Sequence, residues 1–235
     1  MMEYLQTRRE FWLSLLAGLI AGGIFAALNA VLVWSYTSAL ADIEFENLAA
    51  QGNFAEEEFG AQLGKIYYAQ LYVPIVIGLG AGAALGSAFV FGKIRIGSLK
   101  EILIAVGIMW FVLYVIPAAK YPTSPEATFD PDETGIYQKL LLGYSSVSGL
   151  AALAIALGFQ KIKIKQKTVG AAAIYFVVVA GAFFAFPDYH GESDSLLAYS
   201  VVSAWRSVSS LSMTIFWFSL GLLCHLLWLY GSRHR

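Results

Sequence analysis

Charged residues are scarce in this chain and are absent from the middle of its long apolar runs. Asp, Glu, Lys and Arg together account for 13% of the 235 residues, which is about half of the share that soluble domains carry. Proton relays and many ion pathways place an ionisable side chain within a membrane span. The absence of such residues therefore argues against a proton-coupled pump that works through its own spans alone.

Cysteine is almost absent, and the common catalytic motifs are missing. The single cysteine, Cys224, excludes a disulfide within the chain and any Cys-x-x-Cys metal or redox pair. We interpret it as a small apolar residue of the last apolar run. The sequence contains no nucleophile elbow, no His-Glu-x-x-His motif and no Walker loop. We therefore predict that the protein is not an enzyme.

Six long apolar runs make up most of the sequence. Each has about the 20 residues that an α-helix needs to cross roughly 30 Å of hydrocarbon. Backbone groups must be paired within lipid, so the runs predict helices rather than strands. We predict an all-α fold, a polytopic membrane helical bundle in which residues 1–235 form a single integral-membrane domain. The spans lie near residues 11–34, 70–91, 101–119, 137–159, 168–186 and 207–230.

Basic residues are distributed unevenly between the segments that separate the six runs. Most of the 15 Lys and Arg residues fall at the two ends of the chain and in the second and fourth connections. Because short cytoplasmic segments are enriched in Lys and Arg, we predict cytoplasmic N- and C-termini in a multi-pass protein of the cell membrane. Most acidic residues fall in the other connections, on the predicted outer side.

The longest polar stretch extends from Tyr36 to Tyr68. Apolar residues alternate with acids there in a pattern typical of an amphipathic helix. We predict a short helix of this kind near the outer surface, with Asn53 capping its second half.

Small residues are repeated at helical spacing in the first two runs. In lipid, such a face lets two helix backbones approach closely, so we predict helix contacts along it. The glycines are Gly18, Gly22 and Gly23 in the first run and Gly78, Gly82 and Gly86 in the second.

Uncharged polar residues remain within three of the runs. They either line a hydrated path or form hydrogen bonds between helices, and the sequence leaves both interpretations open. They are Asn29 in the first run, Tyr144, Ser145, Ser146 and Ser148 in the fourth, and Ser209, Ser210, Ser212 and Thr214 in the sixth.

The third and fifth connections carry carboxylates and one imidazole. Prolines stiffen the third connection by fixing φ, and an anionic surface of this kind concentrates divalent cations. Carboxylate oxygens suit Mg²⁺, Ca²⁺ or Mn²⁺, and a histidine extends the range to Co²⁺ or Ni²⁺. We predict a cation site here, with a solvated acidic loop as the alternative. The candidate ligands are Glu126, Asp130, Asp132, Glu133, Asp188 and His190.

The third connection resembles the Lys-Tyr-Pro-x-x-Pro…Asp-Pro-(Asp/Glu)-Thr loop of the CbtA family. The similar residues are Lys120, Tyr121, Pro122, Pro125, Asp130, Asp132, Glu133, Thr134 and Tyr137. The resemblance extends to Phe186 and Pro187 after the fifth run, and to Trp205, Arg206, Trp217 and Gly221 around the sixth. Arg206 stands among the predicted outer acids, and we predict that an ion pair from it anchors the last helix to an outer loop.

CbtA proteins are small multi-pass proteins described as cobalt transporter subunits. The resemblance implies a divalent metal (cobalt) transporter subunit, together with a small one-span membrane protein as its partner. We expect no permanently bound cofactor, the divalent cation as substrate, the lipid bilayer as surroundings and no nucleic acid, and a homo-oligomer stays open. The alternative is a non-transporting membrane scaffold or assembly subunit that uses its glycine faces to bind another membrane protein.

The chain departs from the family's usual pattern in two respects. Many members carry a histidine-rich stretch after the first span, whereas this stretch is acidic here and has no histidine. The family is described with five spans, whereas the sequence predicts six. Because histidine helps to discriminate Co²⁺ from Mg²⁺, selectivity for cobalt does not follow from these residues.

Overall fold

The structure is a computed structural model, which describes residues 2–51, 56–92, 98–122, 131–160, 167–189 and 199–233. All regular secondary structure in these residues is helical, which confirms the predicted all-α class. The elements in chain order are α1 (Met2–Leu28), a π-helical turn (Asn29–Val33), α2 (Trp34–Gln51), α3 (Glu56–Gly92), α4 (Leu99–Trp110), a second π-helical turn (Phe111–Val115), α5 (Ile116–Lys120), α6 (Pro131–Gln160), α7 (Lys167–Ala185) and α8 (Tyr199–Arg233).

Six helical stretches among the described residues are long and apolar enough to cross a membrane, as predicted. They are Arg9–Glu46, Phe59–Val90, Leu99–Lys120, Gly135–Phe159, Thr168–Ala185 and Tyr199–Gly231. The first has 38 residues, which corresponds to a length of about 57 Å at 1.5 Å per residue. Because the hydrocarbon layer is only roughly 30 Å thick, this helix extends well beyond it.

The described parts of the polar stretch after the first span are helical, but they are extensions of the two neighbouring helices and do not form a separate helix. The first helix continues without a break to Gln51, and α3 already begins at Glu56. Alanine, leucine, glutamate and glutamine are common in these extensions, and all four are strong helix formers. The prediction of a short, independent amphipathic helix was therefore wrong. Its proposed cap, Asn53, lies outside the described residues.

The chain forms two compact units. Unit 1 comprises Met1–Ile108 and Leu196–Arg235, and unit 2 comprises Met109–Ser195. The boundary falls within α4, so this helix contributes its first part to unit 1 and its last part to unit 2. The single domain across residues 1–235 stays a prediction.

Unit 1 is held together by the close approach of α1 and α3. A Cβ atom on Gly82 would lie 2.5 Å from the carbonyl oxygen of Ser14, and one on Gly22 would lie 2.7 Å from that of Pro74. The two helices are antiparallel, because increasing numbers on α1 meet decreasing numbers on α3. This confirms the predicted glycine contact. Gly23 takes no part in it, since its Cβ position has no neighbour within 4 Å.

Unit 2 contains a π-helical turn that Pro117 explains. In this turn the N–H of Ile116 donates to the carbonyl of Phe111, five residues earlier. The next bond of that kind would require an N–H at residue 117, which proline lacks. The hydroxyl of Ser148 on α6 instead donates to the carbonyl of Val112, at 2.7 Å. A hydrogen bond between helices thus satisfies the backbone group that the proline leaves open.

Buried aromatic residues fill the space between the helices of unit 2. Val112, Tyr121, Tyr137, Tyr144, Tyr175 and Val179 form its core. Each of the four tyrosine hydroxyls forms a hydrogen bond within the unit. A buried phenol therefore avoids the cost of an unpaired polar group, and the core can be both aromatic and polar.

Candidate functional site

The residue that opens the family-like loop, Lys120, is held in an aromatic and anionic environment. Its side chain is only 4% exposed, and its ammonium group forms an ion pair with the carboxylate of Asp188. The ammonium nitrogen also lies 4.5 Å from the ring centroid of Phe183 and 5.8 Å from that of Tyr121. A cation over an aromatic face is stabilised by the negative charge density of the ring. Lys120 therefore joins the end of α5 to the segment that follows α7.

Tyr121 strengthens the same connection from within the core. Its side chain is 1% exposed, and its hydroxyl donates to the carbonyl of Pro187 at 2.6 Å. Burial raises the pKa of the Tyr121 phenol, the ammonium of Lys120 lowers it by a smaller amount, and the carboxylate of Asp188 raises it further. The phenol is consequently neutral at physiological pH and remains a hydrogen-bond donor.

A second tyrosine fixes the position of the loop's first residues. The hydroxyl of Tyr137 on α6 lies 3.3 Å from the carbonyl oxygens of both Tyr121 and Pro122. Its ring packs edge-on against Tyr189, with 5.3 Å between centroids. We call the contacts among Lys120, Tyr121, Tyr137, Pro187 and Asp188 the loop anchor. They join three segments of unit 2 that are far apart in sequence.

The loop anchor borders both segments that carry the predicted cation ligands. Residues 123–130 follow directly after Pro122, and His190 follows Tyr189. Asp188 is the one predicted ligand whose side chain is described, and it is the partner of Lys120. Among the described residues, no group of three or more His, Cys, Asp and Glu side chains is arranged to hold a metal ion. Glu126, Asp130 and His190, the motif residue Pro125, and the side chains of Asp132, Glu133 and Thr134 lie outside the described part of the structure; their role stays a prediction.

Arg206 lies in unit 1, on α8, and its side chain is half-buried. The neighbouring residue, Trp205, belongs to the interior of the unit. One residue corresponds to about 100° of rotation around an α-helix, so the two side chains leave the helix in different directions. The ion pair of Arg206 with an outer carboxylate stays a prediction.

A buried polar cluster joins three helices of unit 1. Thr37 on α2 is 1% exposed. Its hydroxyl oxygen lies 2.9 Å from Nε2 of Gln70 on α3 and 3.1 Å from Nε1 of Trp205 on α8. The same hydroxyl donates to the backbone carbonyl of Val33, at 3.1 Å. We call Thr37, Gln70 and Trp205 the threonine junction. Neither Thr37 nor Gln70 was predicted from the sequence, because both lie at or beyond the ends of the apolar runs.

The polar residues found within the apolar runs separate into two groups. In unit 1, the hydroxyl of Ser212 donates to Oδ1 of Asn29 at 3.0 Å. In unit 2, the hydroxyl of Tyr144 donates to the carbonyl of Val179 at 3.2 Å, and Ser148 contacts the hydroxyl of Tyr175 at 2.7 Å. Each of these pairs connects two helices of one unit. The interpretation as hydrogen bonds between helices is therefore confirmed for Asn29, Tyr144, Ser148 and Ser212.

These features define a class of protein: a multi-pass membrane protein whose helices are joined by buried polar and aromatic contacts. A family model described as a probable cobalt transporter subunit (CbtA) matches residues 7–229. The chain therefore belongs to the CbtA family, and it is a multi-pass protein of the cell membrane. No curated protein matches the chain, and no solved structure does.

Proposed function

We propose that this transporter subunit binds its divalent cation, principally Co²⁺, at the acidic segments beside the loop anchor. The ligands are Glu126, Asp130, Asp132, Glu133 and His190, which combine carboxylate oxygens with one imidazole. Such a set accepts a borderline cation such as Co²⁺ as well as harder ones. The cation is the substrate, and we infer no permanently bound cofactor and no catalytic reaction.

The observation that carries this proposal is the loop anchor itself. It joins the chain at Lys120 and Tyr121 to the chain at Pro187 and Asp188, so the two ligand-bearing segments both start close to one tightly packed region of unit 2. A metal site forms at low entropic cost when the backbone that carries its ligands is already restrained. The prolines of the third connection act in the same direction.

Asp188 has a different function in this proposal from the one that its sequence position suggested. Its carboxylate neutralises the buried ammonium of Lys120. A cation that took this carboxylate as a ligand would leave a desolvated charge without a partner, at a cost of several kcal/mol. We therefore assign Asp188 to the loop anchor, and the remaining acids to the cation.

The scaffold alternative is not favoured, because the glycine face that it would use to bind another membrane protein already forms a contact within unit 1. Gly18, Gly22, Gly78 and Gly82 pack backbone against backbone within unit 1. This face is therefore closed to a second membrane protein. A partner subunit is compatible with the family, and we propose the small one-span protein that the resemblance implies.

Uptake of Co²⁺ into proteoliposomes, with and without the co-expressed partner, tests the proposal. The decisive variant carries Asp130→Asn, Asp132→Asn and Glu133→Gln. The matched control carries Glu56→Gln, Glu57→Gln and Glu58→Gln, which removes the same number of negative charges from the first connection. We expect the first variant to lose uptake at every Co²⁺ concentration. The control should need more metal but reach the wild-type maximum, because it alters only the local concentration of cations.

Normal uptake by the first variant would reject these residues as the cation site. A wild-type protein that transports no divalent metal, with or without the partner, would reject transport by this subunit.

A further inference from the structure

One face of α3 exposes a lysine, two tyrosines and a valine along three successive helical turns. Lys65 is exposed, and Tyr68, Tyr72 and Val76 are 66%, 58% and 63% exposed. The spacings are three, four and four residues, which place the four side chains on one side of a helix. We call Lys65, Tyr68, Tyr72 and Val76 the lysine–tyrosine face.

The hydrogen-bond donors of this face are available to a ligand. No acid stands three or four positions from Lys65, so its ammonium group lacks the partner that an ion pair along a helix requires. Within the described part of the chain, neither this ammonium nor the hydroxyls of Tyr68 and Tyr72 form a hydrogen bond. One charged donor and two neutral donors therefore point away from the protein.

Contacts with α2 hold the opposite side of α3. Tyr67 packs edge-on against Trp34, with 4.8 Å between ring centroids, and Gln70 donates to Thr37 in the threonine junction. Tyr67 and Gln70 are two and five residues after Lys65, at about 200° and 140° around the helix. Tyr67 also packs against Tyr68, at 5.8 Å. These contacts fix the orientation of the lysine–tyrosine face.

The length of the second span indicates the level of this face in the membrane. Phe59–Val90 has 32 residues, and a helix needs about 20 to cross the hydrocarbon layer. Counting back from Val90 places the boundary of this layer near Tyr72, where tyrosine is typical. Lys65 lies about two helical turns farther out, and a lysine side chain is long enough to reach the headgroup region from there.

We propose that the lysine–tyrosine face binds an anionic phospholipid of the adjacent leaflet. The phosphodiester oxygens accept hydrogen bonds from the ammonium of Lys65 and the hydroxyl of Tyr68, because lysine binds phosphate as a point charge and a phenol adds a neutral donor. An acyl chain lies along the ring of Tyr72 and along Val76. It continues past Gly80, where a Cβ atom would meet nothing within 4 Å.

The shape of the face favours a lipid over a second membrane helix. Helices in lipid approach each other through small residues, whereas Tyr68 and Tyr72 project from α3 at the level where such a helix would pack. A flexible acyl chain fits beside two projecting rings. Charge also favours an anionic headgroup, since Lys65 has no acid of its own helix beside it. The site does not depend on the transport of a cation.

Native mass spectrometry of the full chain in detergent, titrated with dioleoylphosphatidylglycerol, measures the binding. The decisive variant carries Lys65→Gln and Tyr68→Phe. The matched control carries Lys139→Gln and Tyr199→Phe, which removes one exposed ammonium and one exposed hydroxyl from two different helices. We expect the Kd of the first bound lipid to rise about 10-fold or more in the decisive variant and to stay unchanged in the control.

Thermal stability in the same detergent separates lipid binding from folding. The substituted side chains are exposed, so without lipid both variants should unfold at the wild-type temperature. Phosphatidylglycerol should raise the Tm of the wild type and of the control, because a ligand of the folded state stabilises it, but not that of the decisive variant. Lys65→Arg keeps the positive charge and should retain the shift.

Two further ligands identify what the face recognises. Phosphatidylcholine carries the same phosphodiester together with a cation, and we expect it to bind more weakly than phosphatidylglycerol. Inorganic phosphate has the oxygens without acyl chains, and we expect no change in Tm at millimolar concentration.

Equal binding of phosphatidylglycerol by the wild type and the decisive variant would overturn this site. An equal loss in the control would also overturn it, because binding would then follow the overall charge of the protein. Stabilisation by inorganic phosphate as large as that by the lipid would reject the acyl-chain contacts and with them the phospholipid.

Discussion

Lys120 and Asp188 form an ion pair whose two side chains are unequally exposed, at 4% and 69%. The consequence of removing either partner depends on which charge remains. A lone aspartate at this position can be hydrated, whereas a lone lysine stays against the rings of Phe183 and Tyr121. The stability of the loop anchor should therefore respond asymmetrically to neutralisation of the two residues.

We predict that Asp188→Asn destabilises the protein more than Lys120→Met does. The first change leaves a buried ammonium without its counter-ion, which costs about 3–5 kcal/mol when burial is complete. The second leaves an exposed carboxylate and costs about 1 kcal/mol or less. Thermal unfolding in one detergent measures both, with Lys120→Arg as the charge-conserving control. Equal losses would show that the ammonium is hydrated.

At the scale of helices, two kinds of contact hold the elements together. In unit 1, glycines let α1 and α3 meet backbone to backbone. In unit 2, Pro117 has no N–H to donate to the carbonyl of Val112, and the hydroxyl of Ser148 from a neighbouring helix donates to this carbonyl instead. Both contacts are characteristic of helices in lipid, where close packing and hydrogen bonds replace the hydrophobic driving force between helices.

We predict opposite effects for alanine at two nearby glycines of α3. Gly82→Ala places a Cβ 2.5 Å from the carbonyl oxygen of Ser14, so the two helices must separate and the protein loses stability. Gly80→Ala meets nothing within 4 Å and should be neutral or stabilising, since alanine favours a helix over glycine by about 1 kcal/mol. Thermal unfolding compares the two. Equal stability of the two variants would contradict the tight contact.

We predict that the cost of Ser148→Ala depends on Pro117. In the wild type this change leaves the Val112 carbonyl unpaired and removes an acceptor from Tyr175, at about 1–3 kcal/mol for each buried group. Pro117→Ala restores a backbone N–H, which lets the helix pair its own carbonyls. The loss caused by Ser148→Ala should then be smaller in the Pro117→Ala background. A double-mutant cycle measures the coupling, and strict additivity would show that the two features are unrelated.

At the scale of the whole molecule, six helices among the described residues are long and apolar enough to span a membrane, which is the number that the sequence predicted. An even number of spans places both termini on one side of the membrane. The distribution of basic residues selects the cytoplasmic side. This orientation stays a prediction.

Cysteine labelling in cells tests the orientation. We predict that Arg95→Cys and Lys163→Cys react with an impermeant reagent only after permeabilisation, whereas Thr128→Cys reacts in intact cells. The native Cys224 is buried and provides the background control. Reaction of residue 163 in intact cells would reverse the assignment of the two sides.

The sequence by itself determined the class of this protein. Six apolar runs of the right length require helices in lipid, and the glycines at a spacing of four, such as Gly78 and Gly82, indicated a close contact. Both signals are local, because the length of an apolar run and the small size of glycine can be read from neighbouring residues without knowledge of the fold. The loop motif around Lys120 likewise identified the family from a few adjacent residues.

Only the tertiary structure decided which distant residues meet. Lys120 pairs with Asp188, and Thr37 bonds to both Gln70 and Trp205. No local pattern specifies such pairs, since they depend on how helices align once packed. The π turn at Asn29–Val33 is the clearest case. It rotates one half of a helix relative to the other, so residues that a regular periodicity would separate face a common neighbour. Asp188 likewise belongs to the loop anchor because its carboxylate pairs with the ammonium of Lys120, a partner 68 residues earlier in the chain.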